Sequence, residues 1–209
     1  MSIRDIEMTN LIDSSAKGVY PISITPFDAR GAVDFEGVDR LTDFFLACGV
    51  PGVTLLGVLG EASKLSNQES LAIVERVIRR VRGRLQVIVG ASHLGFDNFK
   101  AFTDAAMEAG AAGIMVAPAT GLKTEEQVLA FFDTLIGYIG AQVPLALQDF
   151  PQNTGVFMSV DTIGRLAQRH PSIKIVKHEE GSALRKITRL RAAGEEGVVG
   201  SHAIAEAAV

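Results

Sequence analysis

"IKIVKHEEG", residues 173–181, is a short apolar run that ends abruptly in charge. Its β-branched residues suit a strand, and three ionisable residues crowd directly behind Lys177. The same grammar recurs along the chain. Apolar β-rich runs at 18–25 (GVYPISIT), 52–57 (GVTLLG), 85–92 (LQVIVGAS), 112–118 (AGIMVAP), 143–150 (VPLALQDF) and 197–201 (GVVGS) complete a set of about seven strands, separated by about six segments of helical period. Near-continuous apolar runs mark strands buried on both faces, and strict alternation with helices over short connections predicts a parallel sheet with right-handed crossovers. The segment after 52–57 carries its own start signal, with Ser66 as N-cap and Glu69 three residues on completing a capping box.

A parallel sheet of this kind is either a closed barrel or an open doubly wound sheet. Two features favour the barrel. No G-x-G-x-x-G follows the first run, and polar residues collect behind the C-terminal ends of the runs all round the chain: TPFD (25–28), GVLGE (57–61), SH (92–93), QDFPQNTG (148–155), KHEEG (177–181) and GSH (200–202). In a (β/α)8 barrel every strand end contributes to one site. A complete barrel takes about 250 residues, whereas this chain has 209. The expectation is therefore a TIM (β/α)8-type barrel truncated after the seventh strand, with residues 1–17 as an N-terminal segment and 18–209 as an incomplete barrel domain. Its open strand edges are expected to be covered by another subunit or by residues 1–17, since bare edges invite aggregation.

Composition narrows the partners. The chain is 47% hydrophobic and 21% charged with a net charge of -4, so it has no basic field for nucleic acid or anionic membrane, and a small-molecule partner is expected. The N-terminal stretch lacks the apolar core of a secretory signal, and no apolar run has the length of a membrane span; a cytoplasmic location is the expectation. The single cysteine, Cys48, lies in an apolar helical pattern and is expected as a buried thiol without a disulfide.

Strand alternation sorts the two lysines of the opening stretch. Ile173, Ile175 and Lys177 are expected on one face, Lys174 and Val176 on the other, so that Lys177 ends an inward row at the barrel mouth. Desolvation there lowers an ammonium's pKa and makes the amine a nucleophile toward carbonyl carbon. The residues alone leave a solvated charge as an equal alternative.

Taken together, TPFD, GVLGE with LSNQE (65–69), VPLALQDFPQNTG (143–155) and IVKHEEG (175–181) resemble, in order and spacing, the dihydrodipicolinate synthase/N-acetylneuraminate lyase family of class I aldolases, over about residues 18–200. The resemblance implies a (β/α)8 barrel that binds pyruvate or another 2-oxo acid as an imine on Lys177. It further implies a lyase or aldolase without metal or organic cofactor, and a homo-oligomer, usually a tetramer built as a dimer of dimers.

Residue by residue, the family's carboxylate-holding loop corresponds to Gly57, Val58, Leu59, Gly60 and Glu61. Both of its threonines are absent, leaving backbone N–H groups at Leu59 and Gly60 as the expected cradle. The family's relay tyrosine is replaced by Gln148, which hydrogen-bonds but cannot titrate; Tyr20 and Tyr138 lie elsewhere, and the aromatic pair expected in VAPATGLKT (116–124) is missing. Gly200 matches the glycine whose backbone approaches the imine. Thr25 is a candidate for a hydrogen bond to the lysine, and Glu61 for orienting the loop. Replacements for acid–base work are Asp149, His178, Glu179, His93 and His202. Asp149 reads more readily as a cap for the turn before Pro151, and His178 and Glu179 either as partners supporting the lysine or as solvated loop residues. The reading is thus a Schiff-base lyase, aldolase or dehydratase distinct from the lysine-pathway synthase; the rival is a non-catalytic barrel that serves in binding.

Overall fold

The computed structural model describes residues 10–91, 95–179, 181 and 183–192. Five strands, β1 (Gly52–Leu55), β2 (Gln86–Gly90), β3 (Gly113–Val116), β4 (Leu145–Asp149) and β5 (Ile173–His178), form one parallel sheet in unbroken sequence order. Helices α1 (Phe35–Cys48), α2 (Asn67–Val81), α3 (Phe96–Ala109), α4 (Glu125–Ile139), the single turn α5 (Pro151–Thr154), α6 (Val160–Arg169) and α7 (Ala183–Ala192) alternate with them. A doubly wound sheet reverses its strand order at a switch point. Here the order runs from β1 to β5 without reversal, as in the wall of a TIM-type barrel. The run 197–201, with Gly200, lies outside the described residues, as do His93 and His202.

The strand expected at 18–25 is reduced to one parallel bridge between Ile22 and Thr54, held by Ser23 N–H to Thr54 O (2.8 Å) and Thr54 N–H to Pro21 O (2.9 Å). Pro21 has no N–H to donate back toward Gly52, so the ladder cannot lengthen on that side, and on the other β1 ends at Leu55, before Leu56 turns left-handed.

Alternation splits the apolar residues into two layers. Ile88, Met115, Ala146 and Ile175 point inward, where they join Tyr20 and Ile12. Val87, Val89, Ile114, Val116, Leu147 and Val176 point outward against the helices. β5 departs from the expected alternation: Leu145 pairs with Ile173, but Ala146 pairs with Ile175, a register irregularity that sends Ile173 to the outer layer. Alternation resumes at Ile175, so Lys177 still points inward.

The described part of the N-terminal segment does not cover a strand edge. It seals the barrel floor instead: Ile12 is 1% exposed within the inner layer, its N–H donates to Ala112 O (2.9 Å), and Gln86 Nε2 donates to Leu11 O (3.0 Å).

Helix starts follow the sequence signals. Ser66 and Glu69 form the expected capping box on α2, and Thr124 with Gln127 forms a second on α4. Cys48, expected buried, is exposed as the last residue of α1, where Gly49 turns the chain left-handed (φ 67°) and ends the buried stripe. Among the described residues no helix is long and apolar enough to cross a membrane.

Candidate active site

The C-terminal ends of β4 and β5 carry two different sets of polar side chains on their two faces. In the β4–β5 register Gln148 pairs with Lys177 and Asp149 with His178. Paired residues of parallel strands share a face, so Gln148 and Lys177 continue the inner rows of Ala146 and Ile175, while Asp149 and His178 continue the outer rows of Leu147 and Val176.

On the inner face Lys177 is 8% exposed and Gln148 5%. Glu179, the residue just past the strand, folds back over both. Its Oε1 accepts from Lys177 Nζ and from Gln148 Nε2 (2.7 Å), and its backbone N–H donates to Asp149 O (2.8 Å), which fixes the carboxylate over the amine. Burial holds the Lys177 pKa below the usual ammonium range, and the hydrogen bond and charge of Glu179 offset part of that shift. The result is a nearly dry amine in contact with one proton acceptor, itself held by an amide that cannot titrate.

On the outer face Asp149 and His178 are fully buried. Asp149 Oδ2 accepts from His178 Nδ1 (2.6 Å) and from Lys186 Nζ of α7 (2.7 Å). Asp149, expected as an acid–base group, therefore faces the helix layer, away from the Lys177 amine. The physical reason is the period of two: a strand that aims Gln148 inward must aim its neighbour outward.

The loop after β1 is bracketed by two non-glycine residues in the left-handed region, Leu56 (φ 56°) and Glu61 (φ 53°), a strain that persists only where surrounding structure imposes it. Gly90 on β2 is one such constraint, because a Cβ there would lie 2.3 Å from Leu56 O. Within the loop Gly60 N–H donates to Gly57 O and Glu61 N–H to Val58 O, both at 3.0 Å. Gly60, expected to offer its N–H to a carboxylate, has spent it on this turn. The N–H groups of Val58 and Leu59 make no backbone hydrogen bond among the described residues and stay open. Thr25 does not reach the lysine either; its hydroxyl donates to Gly60 O (2.6 Å) and ties the loop to the segment bridged to β1. The Glu61 carboxylate pairs with Lys64 on the following turn.

Beside Gln148 a cavity of about 470 Å³ opens over Met115 and Ala117, walled by Gly57 and Val58 on one side and by the first turns of α2 and α3 on the other. Sequence reasoning named Glu179 only as one of five alternatives and missed both Lys186 and the helix-start residues that line this cavity.

A barrel wall with a desolvated lysine at the C-terminal end of a strand, paired across the ladder with Gln148, defines the class: a (β/α)-barrel protein with a buried mouth amine. Within that class the chain belongs to the dihydrodipicolinate synthetase family, which it matches over residues 15–201. The 4-hydroxy-tetrahydrodipicolinate synthase of Sorangium cellulosum is 31% identical to it over 179 residues, covering 85% of this chain and 59% of that protein. The synthase of Gluconacetobacter diazotrophicus is 32% identical over 193 residues, covering 88% of this chain and 64% of its own. A crystal structure of dihydrodipicolinate synthase from Rhodopseudomonas palustris superposes with a TM-score of 0.86 at 38% identity, covering 91% of this chain and 64% of that one. The chain thus spans less than two thirds of the length of these relatives.

Proposed function

We propose that the protein is a Schiff-base-forming lyase or aldolase acting on pyruvate or another 2-oxo acid through Lys177. The observation that carries this reading is the contact between a buried, pKa-lowered Lys177 amine and the Glu179 carboxylate at the barrel mouth. Glu179 takes one proton from the ammonium, and the neutral amine attacks the ketone carbon. A proton passes from the added nitrogen to the former ketone oxygen, and the protonated Glu179 gives its proton to the resulting hydroxyl, so that water leaves and an iminium forms. The iminium draws electrons from the adjacent carbon, where a carbon–carbon bond is broken or made, or water is lost. Hydrolysis then restores Lys177. Gln148 holds Glu179 in place throughout, and the substrate carboxylate sits against the open N–H groups of Val58 and Leu59. Lysine itself supplies the electron sink, so the reaction as proposed uses no metal or organic cofactor.

The reaction differs, on this reading, from that of the lysine-pathway synthase. An amide stands at Gln148 and apolar side chains at Val58 and Leu59, and none of the three moves a proton; the only titratable group in contact with Lys177 Nζ among the described residues is Glu179. The test is to mix the protein with pyruvate, reduce with borohydride and weigh it. One reduced imine per chain is expected, mapping to Lys177; no adduct, or an adduct that survives Lys177→Ala, refutes the proposal. The missing hydroxyl relay favours a second reading, a barrel that binds a ligand without turnover, which gains support if folded protein traps no 2-oxo acid.

The same reading takes the chain as a homo-oligomer, dimer or tetramer. Val19 and Ile24, on the segment beside β1, are 68% and 56% exposed, more apolar surface than a free edge usually shows. Sedimentation velocity at micromolar concentration is expected to show a dimer or larger.

A further inference from the structure

The net charge of -4 conceals a local reversal of sign. Five arginines fall within residues 76–84, on the second half of α2 and the turn that follows it. Arg76, Arg79, Arg80, Arg82 and Arg84 line an open depression of about 500 Å³, and the only other described residues lining it are Asp39 and Asp43 of α1. Hydrogen bonds from Arg76 and Arg80 hold these two carboxyls below the usual carboxylate range, so both count as full charges, and five cations still stand against two anions. Ion pairs account for part of the cluster. Arg76 grips Asp39 with Nε and Nη2, both at 2.8 Å, and Arg80 grips Asp43 at 2.7 and 2.6 Å while reaching Asp39 at 3.1 Å, which staples α1 to α2. Arg84 donates to Val81 O (3.0 Å) and Arg80 O (3.1 Å), covering carbonyls that otherwise present the negative end of the helix. None of this uses Arg82, which is exposed, makes no side-chain hydrogen bond or ion pair among the described residues, and stands in a left-handed conformation (φ 50°) that favours glycine. Arg79 pairs only with Glu75 on its own helix (3.1 Å).

We infer that this depression is a binding site for a linear oligophosphate, a di- or triphosphate chain either free or carried by a nucleotide. The excess of positive charge calls for an anion bearing more than one charge. A guanidinium offers paired N–H groups to two oxygens of one phosphate, and successive phosphates repeat that arrangement along a chain. Arg76 and Arg80 are already fixed by their carboxylates, so the anion has only Arg79 and Arg82 left to order. No aromatic side chain is among the described residues that line the depression, so it offers no stacking platform for a base, and the phosphate chain is the part recognised. Arg84 precedes Gln86, the first residue of β2, by two positions, whereas Lys177 lies near the C-terminal end of β5, at the opposite rim of the parallel sheet. The inference therefore stands independently of the imine reading of Lys177, and an oligophosphate bound here leaves the barrel mouth free.

The test is calorimetric titration of the full chain at low ionic strength, without magnesium, with sodium tripolyphosphate, ATP and orthophosphate. One tripolyphosphate per chain is expected, with a Kd about tenfold or more below that of orthophosphate. The double variant Arg79→Gln/Arg82→Asn leaves the α1–α2 ion pairs intact and puts at position 82 a residue that tolerates the left-handed region. It is expected to bind tripolyphosphate about tenfold more weakly, whereas Lys100→Gln, which removes an exposed cation on α3, is expected to bind as the wild type does. ATP binding more tightly than tripolyphosphate makes a nucleotide the source of the chain, and ATP binding equally or more weakly makes it the free oligophosphate; either result upholds the site. Absence of binding, tripolyphosphate no tighter than orthophosphate, or a double variant that binds as wild type overturns the inference. An equal loss in Lys100→Gln overturns it too, because the attraction is then a general one between anion and surface.

Discussion

Removing the Asp149 carboxylate separates a structural role for that residue from a catalytic one. Asp149 is fully buried, and its Oδ2 accepts from His178 at 2.6 Å and from Lys186 at 2.7 Å, a cation that is 9% exposed. In Asp149→Ala the Lys186 ammonium loses that partner while still inside the helix layer. Breaking a buried pair from one side costs about 3–5 kcal/mol. For a chain of this size each kcal/mol lowers the melting temperature by about 2–4 °C, so a fall of roughly 6–20 °C is expected. Lys186→Met removes the cation of the pair, so the double variant should be more stable than the sum of the two single losses predicts, by about 0.5–3 kcal/mol of coupling. Urea unfolding of wild type, both single variants and the double variant gives the cycle. A loss below about 1 kcal/mol for Asp149→Ala, or strict additivity, would refute the claim that the three side chains form one coupled unit tying α7 to β4. A second readout addresses chemistry: Asp149→Asn protein that is folded but no longer traps pyruvate would return Asp149 to the reaction and contradict its placement away from Lys177.

Other expectations follow from single contacts. Glu179→Gln removes the hydrogen bond and charge that hold the Lys177 pKa up, so the pKa falls further and imine formation should reach its plateau at lower pH; an unchanged pH profile of borohydride trapping would show that Glu179 does not act on the amine. Because the folded pKa of Lys177 is depressed, the unfolded chain binds more protons in the window from that folded value up to the unfolded one, and wild-type stability should rise with pH there. Lys177→Met should lose this rise, as measured by urea unfolding at a series of alkaline pH values. Ile12→Ala, at a side chain 1% exposed in the barrel floor, should cost about 2–5 kcal/mol; a neutral result would detach residues 10–17 from the fold. Gly90→Ala, whose Cβ would meet Leu56 O at 2.3 Å, should destabilise by about 1–3 kcal/mol in thermal unfolding, since backbone atoms rather than a side-chain end must move.

Much of the barrel wall was legible because buried parallel strands have no polar face to hide: the runs at 52–57, 85–92, 112–118, 143–150 and 173–177 all coincide with strands. Where the reading failed, the deciding fact lay in a partner. Ile173 was placed inward by counting along its own strand, but its face is set by the register with Leu145 across the ladder. The run at 18–25 looks as apolar as the others, and only Pro21, read for its missing N–H, signals that its ladder with β1 cannot extend toward the N-terminus. Cys48 belongs to the apolar period of α1 yet sits at its last position, where the helix stops before the stripe turns inward again. The cavity-lining Asn67 and Ser70 read from sequence as the start of a capped helix, because a cap and a ligand contact use the same residue types and only the fold tells them apart.

Glu179 shows why the chemistry itself was hardest to read. Lys177 and Gln148 lie within strands, where their pairing across the β4–β5 ladder fixes their direction. Glu179 lies one residue past β5, where no period applies, and its direction comes from a backbone hydrogen bond to Asp149 O. The same pair of strand ends therefore does two jobs from adjacent positions. Asp149 uses its side chain to hold α7 and its carbonyl to hold Glu179 over the amine. If that shared anchor matters, loosening α7 should reach the site without touching it. Lys186→Met is then expected to broaden the pH profile of trapping at Lys177 as Glu179 loses its fixed position, while Lys186→Arg, which keeps the cation on Asp149, restores it. A profile in Lys186→Met identical to wild type would show that the carbonyl of Asp149 holds Glu179 independently of its side chain.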